Sequence, residues 1–343
     1  MPALWDLSDF DHHESVHLFD DARTGLQAIV AIHSTHRGPA AGGTRFWYYT
    51  DKQAAMTDAL RLSRGMSYKN AMADLPAGGG KAVILADAAK TKTQDMLDCF
   101  ARAVESLGGR YITAQDVGMS EADMVSLSNN TAHVAGLPGQ GGDPGPYTAR
   151  GVYLGVKAAA KRALGADNMA GVHVAVQGVG SVGGGLARFL AADGARLTIA
   201  DVDAGRASAL ATELGAKNVS VDDIMAVEAD IFSPNALGAI LTASSATSLK
   251  VKAVAGGANN QLATGREGRL LADRGILYAP DYVINAGGII NVLRHIDKAG
   301  DAEINARIDA IPGRLDAVWE ESDATDATPA EVADRMAQQL IGR

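Results

Sequence analysis

The stretch that most constrains the fold of this chain runs from Val172 to Asp201. The apolar run VHVAV is typical of a buried strand. The next residues, QGVGSVG, place Gly178, Gly180 and Gly183 in the spacing G-x-G-x-x-G, and a helical segment and a second strand, RLTIA, follow. The glycine spacing alone is a weak signal. Strand, glycine turn, helix, strand and acid in this order predict a site for a dinucleotide.

Each part of this segment has a physical role in such a site. The glycines let the backbone approach a pyrophosphate, and the helix N-terminus, with Ser181 and Val182, stabilises its charge. The carboxylate of Asp201 accepts hydrogen bonds from a ribose diol and repels a 2′-phosphate, so NAD is expected as the cofactor. Arg196 and Arg206 lie nearby in the sequence and leave NADP open. The alternative is a tight turn without a ligand.

The chain of 343 residues is long enough for two domains of ordinary size. The segment 137–146, LPGQGGDPGP, is too rich in glycine and proline for a helix or a central strand, and predicts a linker. Strands alternate with helices on both sides of it. We therefore expect an α/β protein with an N-terminal α/β domain at 1–146 and a Rossmann-type, doubly wound domain at 147–317.

Composition narrows the classes of ligand. The net charge of -9 and the lack of a Lys/Arg block argue against nucleic acid or an anionic membrane as partner. No segment predicts a signal peptide or a membrane span, so a cytoplasmic location is expected. The single cysteine permits no internal disulfide, and scattered histidines, with His12 and His13 adjacent, argue against a metal site. The expected partners are small molecules.

Periodicity and cap residues predict the remaining elements. Strands are expected at 15–19, 26–33, 111–114, 230–232, 251–255 and 276–279. Helices are expected at 52–64, 93–107 and about 120–130, and two more within 302–343. Asp51 and Ser120 are the expected N-caps of two of these helices.

The stretch 66–84, MSYKNAMADLPAGGGKAVI, carries two lysines, Lys69 and Lys81, on either side of a turn-rich segment with three consecutive glycines. Glycines at 78–80 would let the backbone approach a small ligand. Lys81 is unusual because an apolar run follows it directly, whereas a lysine ammonium normally stays hydrated. A solvated lysine beside an edge strand is the simpler interpretation, and a ligand site is the alternative.

Polar residues also follow the predicted strands of the second domain. They are Asn235 in SPNALG, Asn259 and Asn260 in GGANNQ, and Asn285 in INAGG, and the small residue Ala236 follows the first of them. Because the carboxyl ends of strands line the ligand crevice of a doubly wound sheet, these residues are expected to face it. Asparagine is also an ordinary turn residue, so each position has a structural alternative.

Six segments together resemble one known family. GPAAGGTR, MSYKNAMADLPAGGGKAVI, YITAQDVG, VAVQGVGSVG, GGANNQ and APDYVINAGG resemble motifs of the leucine, phenylalanine and valine dehydrogenases, relatives of glutamate dehydrogenase. The resemblance spans about Arg37 to Asn291. It implies a catalytic and a Rossmann domain facing each other across a cleft, with helices at about 318–343 packing back on the first. It also implies homo-oligomers that convert an L-amino acid reversibly to a 2-oxo acid and ammonium.

The resemblance also implies roles for individual residues. Lys69 resembles the lysine that binds the substrate carboxylate, Lys81 the catalytic lysine that activates water, and Asp116 the acid that shuttles protons. Further implied roles are backbone substrate contacts at Gly42 and Gly43, a carboxylate contact at Asn260 and a nicotinamide contact at Thr148. The implied side-chain pocket comprises Ala41, Met66, Ala114, Ile289 and Val292.

The chemistry of the two lysines agrees with these roles. A lysine acts as a base near neutral pH only when its pKa is lowered, and burial and a second ammonium, that of Lys69, would both lower the pKa of Lys81. The pocket residues leave the substrate open between aliphatic amino acids, such as leucine, valine or isoleucine, and phenylalanine. A non-catalytic dinucleotide-binding protein is the third hypothesis.

Overall fold

The computed structural model describes residues 4–139, 143–236 and 238–343. The chain divides into two compact units, each built on one β-sheet. Unit 1 comprises the described residues of Met1–Gly142 together with Val292–Gly300 and Ala337–Arg343, and unit 2 comprises Asp143–Asn291 and Asp301–Met336. Among the described residues, no helix has both the length and the apolar character needed to cross a membrane.

Unit 1 contains a five-stranded mixed sheet in the order β1-β2-β4-β3-β5. β3 runs parallel to both β4 and β5, and β2 pairs antiparallel with β1 and β4. The elements are β1 (Ser15–Asp21), β2 (Leu26–Ser34), β3 (Ala40–Trp47), α1 (Lys52–Met72), β4 (Gly78–Leu85), α2 (Gln94–Glu105), β5 (Tyr111–Gln115) and α3 (Glu121–Ser128).

The two faces of this sheet pack against different helices. One face joins α2 and α3 in a core that includes Val30, Ile32, Ala82, Ile84, Phe100 and Leu127. The opposite face packs on α1 through Ile29, Ala31, Val83, Ala55, Ala59 and Leu60. Side chains alternate between the faces of a strand. Lys81, two residues before Val83, therefore lies on the α1 face.

The lysine stretch differs from its expected structure in two ways. Helix α1 begins after its cap Asp51, as predicted, but continues past Arg64 to Met72, so it carries Lys69. The three glycines lie inside strand β4 and do not form a turn. They permit close packing: a Cβ on Gly79 would lie 2.0 Å from the backbone nitrogen of Ser67. Helix α1 thus rests directly on the backbone of β4.

Unit 2 contains a six-stranded sheet in the order β11-β10-β9-β6-β7-β8, with all pairs parallel. The chain winds outward from β6 in both directions, so the prediction of an α/β protein with a Rossmann-type sheet is confirmed. The elements are α4 (Gly145–Leu164), β6 (His173–Gln177), α5 (Ser181–Ala192), β7 (Arg196–Ala200), α6 (Ala204–Leu214), β8 (Lys217–Asn218), β9 (Ile231–Pro234), α7 (Ala243–Ser248), β10 (Ala253–Val254), α8 (Gly265–Asp273), β11 (Leu277–Tyr278), α9 (Asp281–Ile284), α10 (Gly287–Val292), α11 (Asp301–Asp309), α12 (Ile311–Ala324) and α13 (Pro329–Leu340).

The C-terminal region differs from the expectation. It forms three helices where two were expected, because α11 ends before Ala310 and α12 begins with Pro312 in its first turn. Helix α12 belongs to unit 2, where the buried Trp319 donates a hydrogen bond to the carbonyl of Tyr278 at 2.9 Å. Within the segment 318–343, expected to return to the first domain, only Ala337–Arg343 belongs to unit 1. Unit 2 begins at Asp143, four residues before the expected boundary.

Two glycine substitutions in unit 1 test the close contact between α1 and β4. Gly79→Ala would force a methyl group onto the backbone of Ser67, and we expect it to lower the free energy of unfolding by about 3 kcal/mol or more. Gly65→Ala lies in α1, where the new Cβ would meet no atom within 4 Å apart from its chain neighbours and the backbone of the helix, and it should raise the free energy of unfolding by roughly 0.5–1 kcal/mol. Urea denaturation measures both. Equal stability of the two variants would contradict the packing described here.

Candidate active site in unit 1

A buried ion pair joins two strands of unit 1. The Nζ atom of Lys81, on β4, lies 2.6 Å from Oδ2 of Asp116, directly after β5. Lys81 is only 6% exposed. Strand β3 runs between β4 and β5, and a Cβ on its Gly43 would lie 2.7 Å from the Cβ of Asp116. The missing side chain at Gly43 therefore leaves the space that Asp116 occupies beside Lys81.

The surroundings shift the pKa values of both groups. Burial lowers the pKa of the Lys81 ammonium, and the positive charge of Arg45 lowers it further, while Asp116 opposes the shift. Burial alone would raise the pKa of Asp116, but Lys81 and Arg45 hold it below its usual value. Arg45 is a positive neighbour of Lys81 that was not predicted from the sequence, and the effect predicted for Lys69 stays a prediction.

Arg45 continues the polar contacts beyond the ion pair. Its Nε lies 3.2 Å from Oδ2 of Asp116, and its Nη1 lies 2.8 Å from Oδ2 of Asp58 on α1. The hydroxyl of Tyr49 donates to the same Asp58 oxygen at 2.5 Å. Arg45, Asp58 and Tyr49 were not predicted from the sequence to belong to the site. The sequence does show a charged residue, Arg45, two residues after Gly43 and so on the same face of the strand. Its partners become apparent only when the pairing of the strands is known.

Lys69 and Met66 lie three residues apart on one face of α1, and both are half-buried. The Cγ of Met66 is 3.2 Å from the position of a Cβ on Gly42. The adjacent Asn70 donates hydrogen bonds to the carbonyls of Ala41 and Gly78, at 3.4 and 2.6 Å. These contacts bring α1 against β3 and β4 at Gly42. The substrate roles assigned to Lys69, Met66 and Gly42 stay predictions.

The predicted side-chain pocket residues lie in both units. Ala41 and Ala114 are buried on β3 and β5, and Ala114 pairs with Gly43, so both lie on the sheet face that carries Lys81. Val292 belongs to unit 1 and lies 3.6 Å from the position of a Cβ on Gly136. Ile289 is half-buried on α10 in unit 2. Their assignment to one pocket stays a prediction.

The predicted dinucleotide site forms the turn between β6 and α5 in unit 2. Gly178 adopts φ +82°, and a Cβ there would lie 2.8 Å from that of Ala236. A Cβ on Gly183 would lie 1.9 Å from the carbonyl oxygen of Gly178, whereas the nearest atom to one on Gly180 is 3.9 Å away. The three positions thus provide a tight turn, close helix packing and an open approach, which suits a pyrophosphate.

The acid at the end of β7 is held beside this turn. The Oδ2 of Asp201 accepts the backbone N–H of Val179 at 2.7 Å, and its Oδ1 accepts that of Asp203 at 2.8 Å. The Nη2 of Arg206 lies 3.3 Å from the same Oδ1. A cavity of about 380 Å³ adjoins the turn, lined in part by Val179, Ser181 and Arg206. Val182 follows Ser181 in the first turn of α5.

The asparagines after the strands of unit 2 hold several of its loops together. Asn235 accepts the backbone N–H of Gly257 at 2.8 Å. Asn285 donates to Oδ1 of Asn259 at 2.9 Å and to the carbonyl of Gly257 at 3.2 Å, while its own Oδ1 is buried without a partner among the described residues. Asn260 is exposed, with φ +52°. Ordinary loop structure accounts for most of these contacts, and the cofactor roles of these asparagines stay predictions.

Thr148 lies in the first turns of α4. Its hydroxyl donates to the carbonyl of Pro144 at 2.9 Å and would lie 2.5 Å from a Cβ on Gly288. The structure therefore brings Thr148 to the start of α10. Among the residues that the structure describes, no group of three or more His, Cys, Asp or Glu side chains could hold a metal ion.

Two family profiles match the sequence. The first is described as "Glu/Leu/Phe/Val dehydrogenase, dimerisation domain" and matches residues 13–133. The second, "Glutamate/Leucine/Phenylalanine/Valine dehydrogenase", matches residues 199–294. Leucine dehydrogenase from Bacillus subtilis strain 168 is 45% identical over 341 residues, which cover 98% of this chain and 93% of that protein. This chain belongs to the Glu/Leu/Phe/Val dehydrogenase family.

Two further relatives agree with this membership. Phenylalanine dehydrogenase from Bacillus thermotolerans is 41% identical over 96% of this chain and 88% of that protein. The crystal structure of L-tryptophan dehydrogenase from Nostoc punctiforme matches with a TM-score of 0.87 and 41% identity, covering 96% of each chain. The resemblance found in the sequence motifs is therefore confirmed, and this member of the Glu/Leu/Phe/Val dehydrogenase family is an oxidoreductase acting on amino acids.

Proposed function

We propose that the protein catalyses the NAD-dependent, reversible oxidative deamination of an aliphatic L-amino acid to its 2-oxo acid and ammonium. The buried pair of Lys81 and Asp116 carries the proposal, because it supplies a base of lowered pKa next to a carboxylate within an amino acid dehydrogenase scaffold. The leucine dehydrogenase relatives at 44–45% identity favour an aliphatic substrate. Phenylalanine and tryptophan dehydrogenases at 41–42% make an aromatic amino acid the second candidate.

The ion pair divides the proton transfers between its members. As a neutral amine, Lys81 takes a proton from the water that attacks the oxidised α-carbon of the substrate. Asp116 first takes a proton from the substrate ammonium, before hydride transfer, and later returns it to the amino nitrogen of the carbinolamine. This nitrogen leaves as ammonia while the hydroxyl proton passes to Asp116 and the carbonyl of the 2-oxo acid forms, and the ammonia then takes up a proton to become ammonium. In the reverse direction the two residues perform the same transfers in the opposite order. Their 2.6 Å contact makes the protonation of each depend on the other.

The substrate carboxylate is assigned to Lys69 on α1, with Asn260 as a second contact, and Gly42 and Gly43 as backbone contacts. Lys69 is half-buried and lies one turn from Met66, whose Cγ is 3.2 Å from the position of a Cβ on Gly42. A lysine that keeps its charge attracts a carboxylate, whereas Lys81 is driven toward its neutral form. Ala41, Met66, Ala114, Ile289 and Val292 would contact the apolar side chain of the substrate.

The glycine turn of unit 2 is assigned to NAD, whose nicotinamide supplies the hydride acceptor. Asp201 favours a ribose diol over a 2′-phosphate. Arg206, which could bind a 2′-phosphate, instead forms an ion pair with Asp201. Thr148, Asn235, Ala236, Asn259 and Asn285 are assigned to the same cofactor. The match of residues 13–133 to a dimerisation domain supports a homo-oligomer.

A substrate panel tests the proposed reaction. Purified protein is mixed with NAD and single L-amino acids at alkaline pH, and the absorbance of reduced cofactor is followed. We expect turnover on leucine, valine and isoleucine with kcat/KM above that for phenylalanine or tryptophan, and weaker turnover with NADP. A higher kcat/KM for an aromatic substrate would favour the second candidate. No turnover on any amino acid of the panel would contradict both the aliphatic and the aromatic candidate.

Replacing the proposed base separates catalysis from cofactor binding. Lys81→Ala should lower kcat by about 100-fold or more, since it removes the group that takes the proton of water. Binding of NAD, measured by calorimetry, should be unchanged because Lys81 lies in unit 1 and the glycine turn in unit 2. Lys52→Ala, an exposed lysine of the same unit, is the matched control. Undiminished turnover in Lys81→Ala would refute the assigned role.

The pH dependence of deamination reports on Lys81. Since the neutral amine is the active form, kcat/KM should rise with pH as the ammonium loses its proton. Burial lowers the pKa of Lys81, so the midpoint of the rise should lie below 10.5, the ordinary value for lysine. Steady-state kinetics across pH 6 to 11 would measure it. A midpoint at or above the ordinary value would count against Lys81 as the base.

A further inference from the structure

We propose that Arg45 is a positioning residue for Asp116, and that Asp58 and Tyr49 hold Arg45 in place. This inference deepens the proposed function and rests on the role given there to Asp116. Arg45 is not assigned a direct contact with the substrate. It acts by binding one oxygen of the acid through its guanidinium.

The hydrogen bonds to the carboxylate of Asp116 are distributed unevenly. Both Nζ of Lys81, at 2.6 Å, and Nε of Arg45, at 3.2 Å, bind Oδ2. Neither cation makes a hydrogen bond to Oδ1. The side chain is 22% exposed, so the carboxylate is not sealed. The backbone of Val117 also donates a hydrogen bond to this carboxylate. Two cations on one oxygen fix the rotation of the carboxylate, and Oδ1, which neither cation binds, would exchange the proton with the substrate nitrogen.

Arg45 is itself held at its other end. Its Nη1 lies 2.8 Å from Oδ2 of Asp58, whose side chain is 12% exposed, and Tyr49 donates to that same oxygen at 2.5 Å. Asp58 also meets Arg61, at 3.5 Å through Oδ1. A planar guanidinium can bind carboxylates on two of its edges, whereas an ammonium acts as a single point. The two edges of Arg45 therefore connect α1 to the acid at the end of β5.

The same contacts predict an electrostatic effect on the ion pair. Asp116 is faced by Lys81 from β4 and by Arg45 from β3, and Arg45 is faced in turn by Asp58 from α1. The positive charge of Arg45 lowers the pKa of Lys81 and also that of Asp116. Its removal should therefore make Lys81 harder to deprotonate, because one repelling cation is lost.

Kinetics of three arginine variants test the proposal. Arg45→Gln should lower kcat by about 10- to 100-fold, with KM for the amino acid changed by less than about threefold, and should move the rising limb of the pH profile to higher pH. Arg45→Lys keeps the positive charge but cannot contact both Asp116 and Asp58. It should therefore lower kcat while the rise of activity with pH stays near its original pH. Arg61→Gln is the matched control, because Arg61 also binds Asp58 but is 57% exposed and makes no contact with Asp116. It should behave as the unmodified protein.

The outcomes separate this inference from the function on which it rests. A folded Arg45→Gln with kcat within about twofold of the original and an unmoved limb would overturn the inference. If that variant does not fold, Arg45→Lys decides: unchanged kcat overturns the inference, and lowered kcat with an unmoved limb supports it. Activity that survives Lys81→Ala would instead refute the proposed function. Loss in Lys81→Ala combined with unchanged Arg45 variants refutes only the role of Arg45.

Discussion

The buried ammonium of Lys81 is the group on which the rest of unit 1 depends. Taking a lysine charge out of water is unfavourable unless a partner of opposite charge is held in good geometry, and removing such a partner typically costs about 3–5 kcal/mol. Asp116 is that partner at 2.6 Å, and Arg45 and Asp58 extend the compensation to four alternating charges. The fold must therefore deliver side chains from three strands and one helix to one small region.

The register of the strands and the small residues among them bring these side chains together. β3 runs parallel to both its neighbours, so Arg45 pairs with Val83, two residues after Lys81, and Gly43 pairs with Ala114, two residues before Asp116. All these positions lie on the sheet face covered by α1. A larger residue at 43 would meet Asp116, and one at 79 would meet the helix. The glycines of this region thus serve packing around a charged cluster, in addition to any contact with substrate.

The features that can be predicted from the sequence are those that neighbouring residues determine. The turn at Gly178, the acid at Asp201 and the alternation of strands and helices follow from adjacent residues, and the family follows from ordered motifs. Features that depend on contacts between distant parts of the chain were not predicted correctly. The helix expected at 52–64 continues to Met72, and the glycines 78–80, expected in a turn-rich segment, are extended in β4, where they pack against α1. Arg45 was missed because its partners are apparent only once β3 is placed between β4 and β5.

The register of β5 determines the sheet face on which Asp116 lies. Side chains alternate along a strand, so a slip of one residue exchanges the two faces. A single deletion within 111–115 would carry Asp116 away from Lys81 and onto the face where Thr44 and Thr113 bond to each other at 2.5 Å. Insertion or deletion of one residue between Tyr111 and Asp116 would therefore separate the two charges of the ion pair.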